Sequence, residues 1–238
     1  VIHSAASYKD PYDWEEDSKT NILGSIILAK LCQKYSIKKV VNFQTSLCYG
    51  RPNKIPIPIT HSNAPFTSYG ISKTAGEQYL LNSSINVTSL RLANICGPRL
   101  SIGPIPTFYS RLKNNKSCFC SDSVRDFLDM SDFLILLELV LKEGSPNGIY
   151  NVSTGEGKSI KEVYDVISNY LNVKTDDPPL IPVGDDDIKN VILDSSYTNL
   201  TFGWKAKVSF KETIIKQLDW YEKHGVSSIY SHLNNQNK

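Results

Sequence analysis

Two periodicities take turns along the chain. Residues 1–3, 40–43, 86–92 and 148–152 read as short strands, the first of them buried, and Val40-Val41-Asn42-Phe43 has the near-continuous apolar character of a parallel strand. Helical stripes lie between them. Ile22, Ile26, Ala29 and Cys32 predict a helix over residues 17–35, closed by Lys38-Lys39. A second helix is predicted from Ser68 to Leu80 behind a turn cluster at 63–68, and a third, strongly apolar, over 131–141. Ser159-Ile160-Lys161-Glu162 is a capping box that opens a helix reaching Leu171, with Val163, Ile167 and Tyr170 at helical spacing. Phe210, Ile214, Leu218 and Tyr221 stripe a last helix over 210–224, ended by Gly225. Residues 108–113 read as a short helix, 117–120 as a short strand and 126–130 as strand-like. Loops are expected at 51–65, which carries four prolines, around Pro98, Pro104 and Pro106, and over the acidic stretch 176–187; the tail 227–238 is polar. Strands alternating with helices predict an α/β fold built on a doubly wound parallel sheet.

Chemistry enters at Tyr69-Gly70-Ile71-Ser72-Lys73. Tyr69 and Lys73 are spaced i,i+4 and so project from one face of the second helix. A nearby ammonium favours the phenolate, which makes the pair a proton-transfer device when a hydroxyl such as that of Thr45 aligns the reacting oxygen. On spacing alone, an exposed polar helix face is the commoner explanation.

Composition removes several function classes. The chain has 238 residues, 40% hydrophobic and 21% charged, with a net charge of +2 and no Lys/Arg-rich block, so nothing directs it to nucleic acid or to a membrane surface. No apolar run is long enough to span a bilayer. The five cysteines are an odd number with no histidine pair nearby, and reduced thiols in a cytoplasmic protein are expected rather than a metal site or disulfides.

Three segments come one after another in a fixed order: Phe43-Gln44-Thr45-Ser46-Leu47-Cys48-Tyr49-Gly50, Ser68-Tyr69-Gly70-Ile71-Ser72-Lys73 and Arg91-Leu92-Ala93-Asn94-Ile95-Cys96-Gly97-Pro98-Arg99. In them the chain resembles the extended short-chain dehydrogenase/reductase family and, within it, the NAD-dependent nucleotide-sugar epimerases and dehydratases of the UDP-glucose 4-epimerase kind. Val1-Ile2-His3-Ser4-Ala5-Ala6 resembles the end of that family's fourth strand. Thr20-Asn21-Ile22-Leu23-Gly24-Ser25 is similar to its Asn-x-x-Gly-Thr helix, and Arg125-Asp126-Phe127 with Asp132 to its Arg-Asp-aromatic motif. The resemblance covers nearly the whole chain and is strongest over residues 1–155.

The resemblance implies a Rossmann-type sheet with a smaller, interwoven C-terminal lobe. Residues 1–98 and 126–155 would form the dinucleotide-binding part, and 99–125 and 156–226 mainly the substrate lobe. It implies Thr45, Tyr69 and Lys73 as catalytic residues, with Lys73 holding the nicotinamide ribose and depressing the Tyr69 pKa. Ser4, Ala5, Ala6, Thr20, Tyr69, Lys73 and Ala93 would meet NAD, while Asn21 would support the tyrosine region. Thr45, Asn94 and Arg125 would meet a nucleotide sugar, UDP-linked, through its reacting oxygen and its diphosphate and uridine side. An ion pair between Arg125 and Asp126 or Asp129 is the plainer alternative for that arginine. A homodimer built on helices 17–35 and 68–81, with Leu31 and Tyr79 on its surface, is also implied, as is a place in surface-polysaccharide synthesis.

The same resemblance marks departures. No glycine-rich phosphate loop occurs in the 238 residues, so an N-terminally truncated nucleotide-binding half is expected. Cys96 stands where a tyrosine is common, and a second phosphate-binding arginine near residues 182–187 is missing, with only Lys189 close. Ser46 and Leu47 occupy positions where dehydratases carry an Asp-Glu pair, which favours an epimerase that oxidises the sugar transiently and reduces it again. An NAD(P)-dependent reductase of the same fold and a non-catalytic dinucleotide-binding protein are the alternatives; the intact set of Thr45, Tyr69 and Lys73 speaks against the second.

Overall fold

A computed structural model of the chain describes residues 1–8, 10–173, 176–185, 187–226 and 229. The tail expected over 227–238 lies, apart from Ile229, outside them. The chain begins with β1 (Ile2–His3), α1 (Trp14–Asp17), a π-helical segment Ser18–Leu23 and α2 (Gly24–Lys34). Next come β2 (Val40–Thr45), a tight turn Ser46–Tyr49, α3 (Ser68–Leu81), β3 (Val87–Leu92) and β4 (Asn94–Cys96). The middle holds α4 (Pro104–Lys113), β5 (Cys120–Ser121), β6 (Val124–Arg125), β7 (Phe127–Asp129), α5 (Met130–Leu141) and β8 (Gly148–Val152). The last part contains β9 (Lys158–Ser159), α6 (Ile160–Leu171), β10 (Leu180–Ile181), β11 (Asn190–Val191), α7 (Ser196–Phe202) and α8 (Phe210–His224).

The strands β1-β2-β3-β8 form a sheet in which every neighbouring pair is parallel. Val40 and Val41 are both fully buried because alternation along β2 sends them to opposite, covered faces. Val40 and Val87 pack against Ala29, Cys32 and Leu80, while Val41, Leu90 and Val152 pack against Phe133, Leu136, Val140 and Trp204. Each such side chain contributes roughly 1.5–3 kcal/mol of burial. This is the doubly wound α/β arrangement that the alternation predicted. β1 departs from expectation: among the described residues it bonds to β2 alone, and His3 is buried but Val1 and Ile2 are 51% and 43% exposed.

The helix predicted over 17–35 begins earlier and is not apolar where it meets α3. Its buried positions are Asp17, Asn21, Ser25, Ala29 and Cys32, while Ile22 and Ile26 are half-buried. The π segment explains the shift. A turn wider than the α-helix keeps positions four apart in line, and here 17, 21 and 25 all face inwards. Gly76 lets α3 close on this seam, since a Cβ there would lie 2.3 Å from the Asn21 carbonyl oxygen and 2.7 Å from Ser25 Oγ.

A second core gathers α4, α6 and α8 around Phe108, Tyr164, Ile167, Leu218 and Tyr221. The Ser159–Glu162 capping box is present, and Ser209–Glu212 makes a second one at α8. α4 starts at Pro104, not Phe108, because a proline in the first turn has no N–H to waste. α7, rich in Ser, Thr, Tyr and Asn, carried no helical signal and forms through its packing on β8. Short pairings, β4 with β7, β5 with β10, and β6 with β9 and β11, stitch the second core to the strand ends of the sheet.

Gly76→Ala is expected to destabilise the chain by about 1–3 kcal/mol, although alanine is the better helix former, because the overlap falls on backbone. Urea unfolding measures it; a neutral or stabilising effect would contradict the close approach.

Candidate active site

The site grows from the C-terminal end of β2, where ligands collect in open α/β sheets. Thr45 ends that strand, and its hydroxyl caps the next turn by accepting from Leu47 N–H at 3.1 Å. Gln44 fixes the strand end to α3, donating from Nε2 to the Lys73 carbonyl at 3.0 Å and accepting from Thr45 N–H at 2.8 Å. Thr67 caps α3 by accepting from Gly70 N–H at 3.1 Å, so Tyr69 leaves the first turn of the helix.

Asn21 joins three elements with one side chain. Its amide donates to Ser7 O and to Ser72 Oγ, both at 2.9 Å, and its carbonyl accepts from Ser7 N–H at 2.9 Å. The small-residue loop after β1 is thus tied to the helix that carries Tyr69 and Lys73. Ser4 and Ala5 stay exposed on that loop and Ala6 is half-buried, leaving backbone open to an incoming group. Ser68, one residue before Tyr69, donates to Asp17 Oδ2 at 2.7 Å; Asp17 is buried and its Oδ1 has no partner among the described residues.

Burial pushes the Tyr69 phenol up to about 12; the Tyr8 ring, edge-on at 6.1 Å, and the Asp17 charge add to this, and the Thr45 hydroxyl works the other way. Lys73 is 5% exposed, and its desolvation brings the ammonium down to about 8 against the pull of Glu77. Among the described residues its Nζ has no hydrogen-bond acceptor. The Lys73 ammonium is drawn by Glu77, one turn further on, and it lowers the His3 pKa in addition to burial; it is not among the causes of the Tyr69 shift.

Beneath the pair lies a buried network that sequence spacing did not reveal. Glu77 takes Arg91 Nη2 at 2.8 Å and Nε at 3.3 Å, and Ser89 Oγ at 2.6 Å. Burial works against the Arg91 charge, but the Glu77 carboxylate outweighs it and holds the guanidinium above its usual pKa. Arg91 also lies 4.9 Å from the Tyr49 ring centre, and Tyr49 donates to Asn151 Oδ1 at 2.6 Å.

The other expected contacts fall out unevenly. Ala93 is buried near the strand ends, its N–H donating to Val152 O at 2.9 Å, and Asn94 presents an exposed side chain. Thr20 is half-buried, and its hydroxyl is engaged on its own helix, donating to Glu16 Oε1 at 2.8 Å. Arg125 pairs with Asp187, not with Asp126 or Asp129. Those two are taken elsewhere: Asp126 accepts from Thr154 and Gly155, and Asp129 from Lys216 and Ser131. No cluster of metal-ligating side chains occurs among the described residues.

Residues 1–153 match the model of the NAD dependent epimerase/dehydratase family. The chain belongs to that family. The Bordetella bronchiseptica enzyme WbmG, solved in complex with NAD and UDP, is 61% identical and superposes with a TM-score of 0.93 over 98% of this chain and 75% of that one. A putative UDP-glucose 4-epimerase of Methanocaldococcus jannaschii is 29% identical over 92% of this chain and 76% of its own length. The human dTDP-D-glucose 4,6-dehydratase is 26% identical over 88% of this chain and 63% of its own length, so the family's two chemistries are both among the relatives.

The family's cofactor can be tested against the donors present. A buried lysine with no acceptor among the described residues, one helical turn from Tyr69, fits the oxygens of a nicotinamide ribose. The open loop of Ser4, Ala5 and Ala6 and the buried Ala93 are compatible with the same group.

Lys73 also makes a stability prediction. The folded chain releases that proton near pH 8, whereas an unfolded lysine keeps it to about 10.4. The unfolded state therefore binds more protons across that window, and stability rises with pH there. Lys73→Met is expected to be more stable than wild type at neutral pH, with the difference shrinking as pH rises from about 8 to 10. Denaturant titrations across the window check it, and a difference independent of pH would contradict a buried, acceptor-free ammonium.

Proposed function

We propose that the chain works as an NAD-dependent epimerase of a nucleotide sugar, UDP-linked. The observation that carries this reading is the Tyr69 phenol in hydrogen-bonding reach of the Thr45 hydroxyl at the C-terminal end of β2, with a buried Lys73 one turn further along the same helix. Lys73 and the loop of Ser4, Ala5 and Ala6 would hold NAD, which would supply the site with a reversible hydride acceptor for the sugar carbon. Thr45 orients the reacting hydroxyl, and Tyr69 takes its proton and later returns it. A phenol held up at about 12 by burial is a poor base at neutral pH, so proton transfer by Tyr69 calls for a nearby positive charge. Lys73 brings a positive charge that a bound ribose would hold in place beside the phenol. Residues 1–98 and 126–155 serve the cofactor in this reading, and 99–125 with 156–226 mainly the substrate, with Asn94 and Arg125 facing its diphosphate side.

Epimerisation is favoured over dehydration because Ser46 and Leu47 come after Thr45 where an acid and a base would be needed. Asp17, the carboxylate that Ser68 bonds at the start of α3, does not occupy either of those two positions. Tyr69→Phe in the full chain supplied with NAD and UDP-sugars is expected to cut turnover by roughly two to four orders of magnitude with little change in substrate binding. The wild-type product should have the mass of the substrate. Unimpaired turnover in the variant, or a product lighter by one water, would end the reading.

We further propose a homodimer. Leu23, Ile27 and Leu31 recur at i,i+4 spacing and are 45–50% exposed, next to Ile71 and Tyr79 of α3 at 50% and 53%. An apolar surface of this kind is suited to helix-on-helix association. Light scattering at micromolar concentration should give the mass of two chains; Leu31→Lys with Tyr79→Lys should give one.

A further inference from the structure

Arg125 stands on β6 with its guanidinium engaged on two sides. Nη1 donates to the carbonyls of Val124 at 3.0 Å and Lys189 at 3.2 Å, and Nη2 donates to both oxygens of Asp187 at 2.7 and 2.8 Å. Nε has no partner among the described residues. The carboxylate therefore straddles one nitrogen and leaves the forked Nε–Nη2 edge, the best match to a phosphate, half used. Arg125 is the more buried member, its side chain 15% exposed against 47% for Asp187, so the acid lies nearer solvent. Both neighbouring cations are occupied: Lys189 is held by Asp122 at 2.7 Å, and Lys158, opposite Arg125 in the sheet, is drawn to Glu156 at 3.9 Å.

We propose that Asp187 is an internal occupant of the diphosphate subsite, holding Arg125 in the free protein and giving way when a nucleoside diphosphate sugar brings its phosphate oxygens to the guanidinium. The inference rests on the proposed function, in which Arg125 faces the substrate's diphosphate. A diphosphate diester carries two negative charges and can fill the forked edge, which a single carboxylate on Nη2 does not. Asp187 left in place would set a third negative charge beside those two, which is unfavourable. Substrate affinity is therefore reduced by the strength of the Arg125–Asp187 pair, and a nucleoside without phosphates has nothing to offer in exchange.

Isothermal titration of the full chain with UDP and, separately, with uridine tests this in wild type, Asp187→Asn, Asp187→Ala and Arg125→Ala. Both Asp187 variants are expected to bind UDP roughly three- to tenfold more tightly, the range of a partly exposed ion pair, with uridine unchanged. Two variants guard against one that folds poorly. UDP affinity unchanged or lowered in both, or uridine affinity raised as much as that of UDP, would overturn the exchange. If Arg125→Ala binds UDP as wild type does, or if no protein binds UDP, the diphosphate reading itself fails and the inference with it. A weakened Arg125→Ala beside unchanged Asp187 variants sinks the exchange alone.

Discussion

The buried pair of Glu77 and Arg91 is the constraint on which the site depends. Both side chains are almost wholly out of water, at 0% and 4% exposure, and neither charge is tolerable there alone. Their forked contact binds α3 to β3, Ser89 completes the carboxylate's shell, and Tyr49 covers the guanidinium. Lys73 lies one helical turn before Glu77, so the same carboxylate that neutralises Arg91 also supports the ammonium of the proposed site. Position and electrostatics of the candidate centre are set by one network, and neither can be changed without the other.

Much of the frame was legible before the structure. Val40 to Thr45, the helix beginning at Ser68, the Ser159 capping box and the helix ending at Gly225 all lie where local signals put them. Those signals are local because each depends on residues within a turn or a strand of one another. The parts that were not legible depend on partners distant in sequence. Glu77 and Arg91 are ordinary charges until α3 and β3 are packed together, and Asp187 is one of several acids in a loop until it meets Arg125 across 62 positions. Ile22 and Ile26 misled for a different reason: a stripe drawn at the α-helical period cannot foresee a π segment.

Family membership and local chemistry answer different questions here. The match over residues 1–153 fixes the scaffold, and relatives of both the epimerase and the dehydratase kind share it. In the proposed reading, the choice between those reactions rests on Ser46 and Leu47, the two side chains next to Thr45. On the second core and the strands stitched to it, to which that reading assigns the substrate, Arg125 has traded the partners anticipated for it for one the loop supplies.

The seam between the π segment and α3 is polar where a helix contact is commonly greasy. Asp17 and Asn21 meet Ser68 and Ser72 through directional bonds across a gap kept narrow by Gly76, while Ser25, which faces Gly76, bonds to His3 of β1. Apolar contacts tolerate sliding and rotation, because dispersion falls off gently and without preferred angle. Hydrogen bonds do not. This joint behaves as a dovetail, not as an adhesive film: it gives up some sticking energy in return for angular indexing. A helix keyed in this way cannot creep along its neighbour, and whatever it carries on its outer turn inherits that fixed bearing.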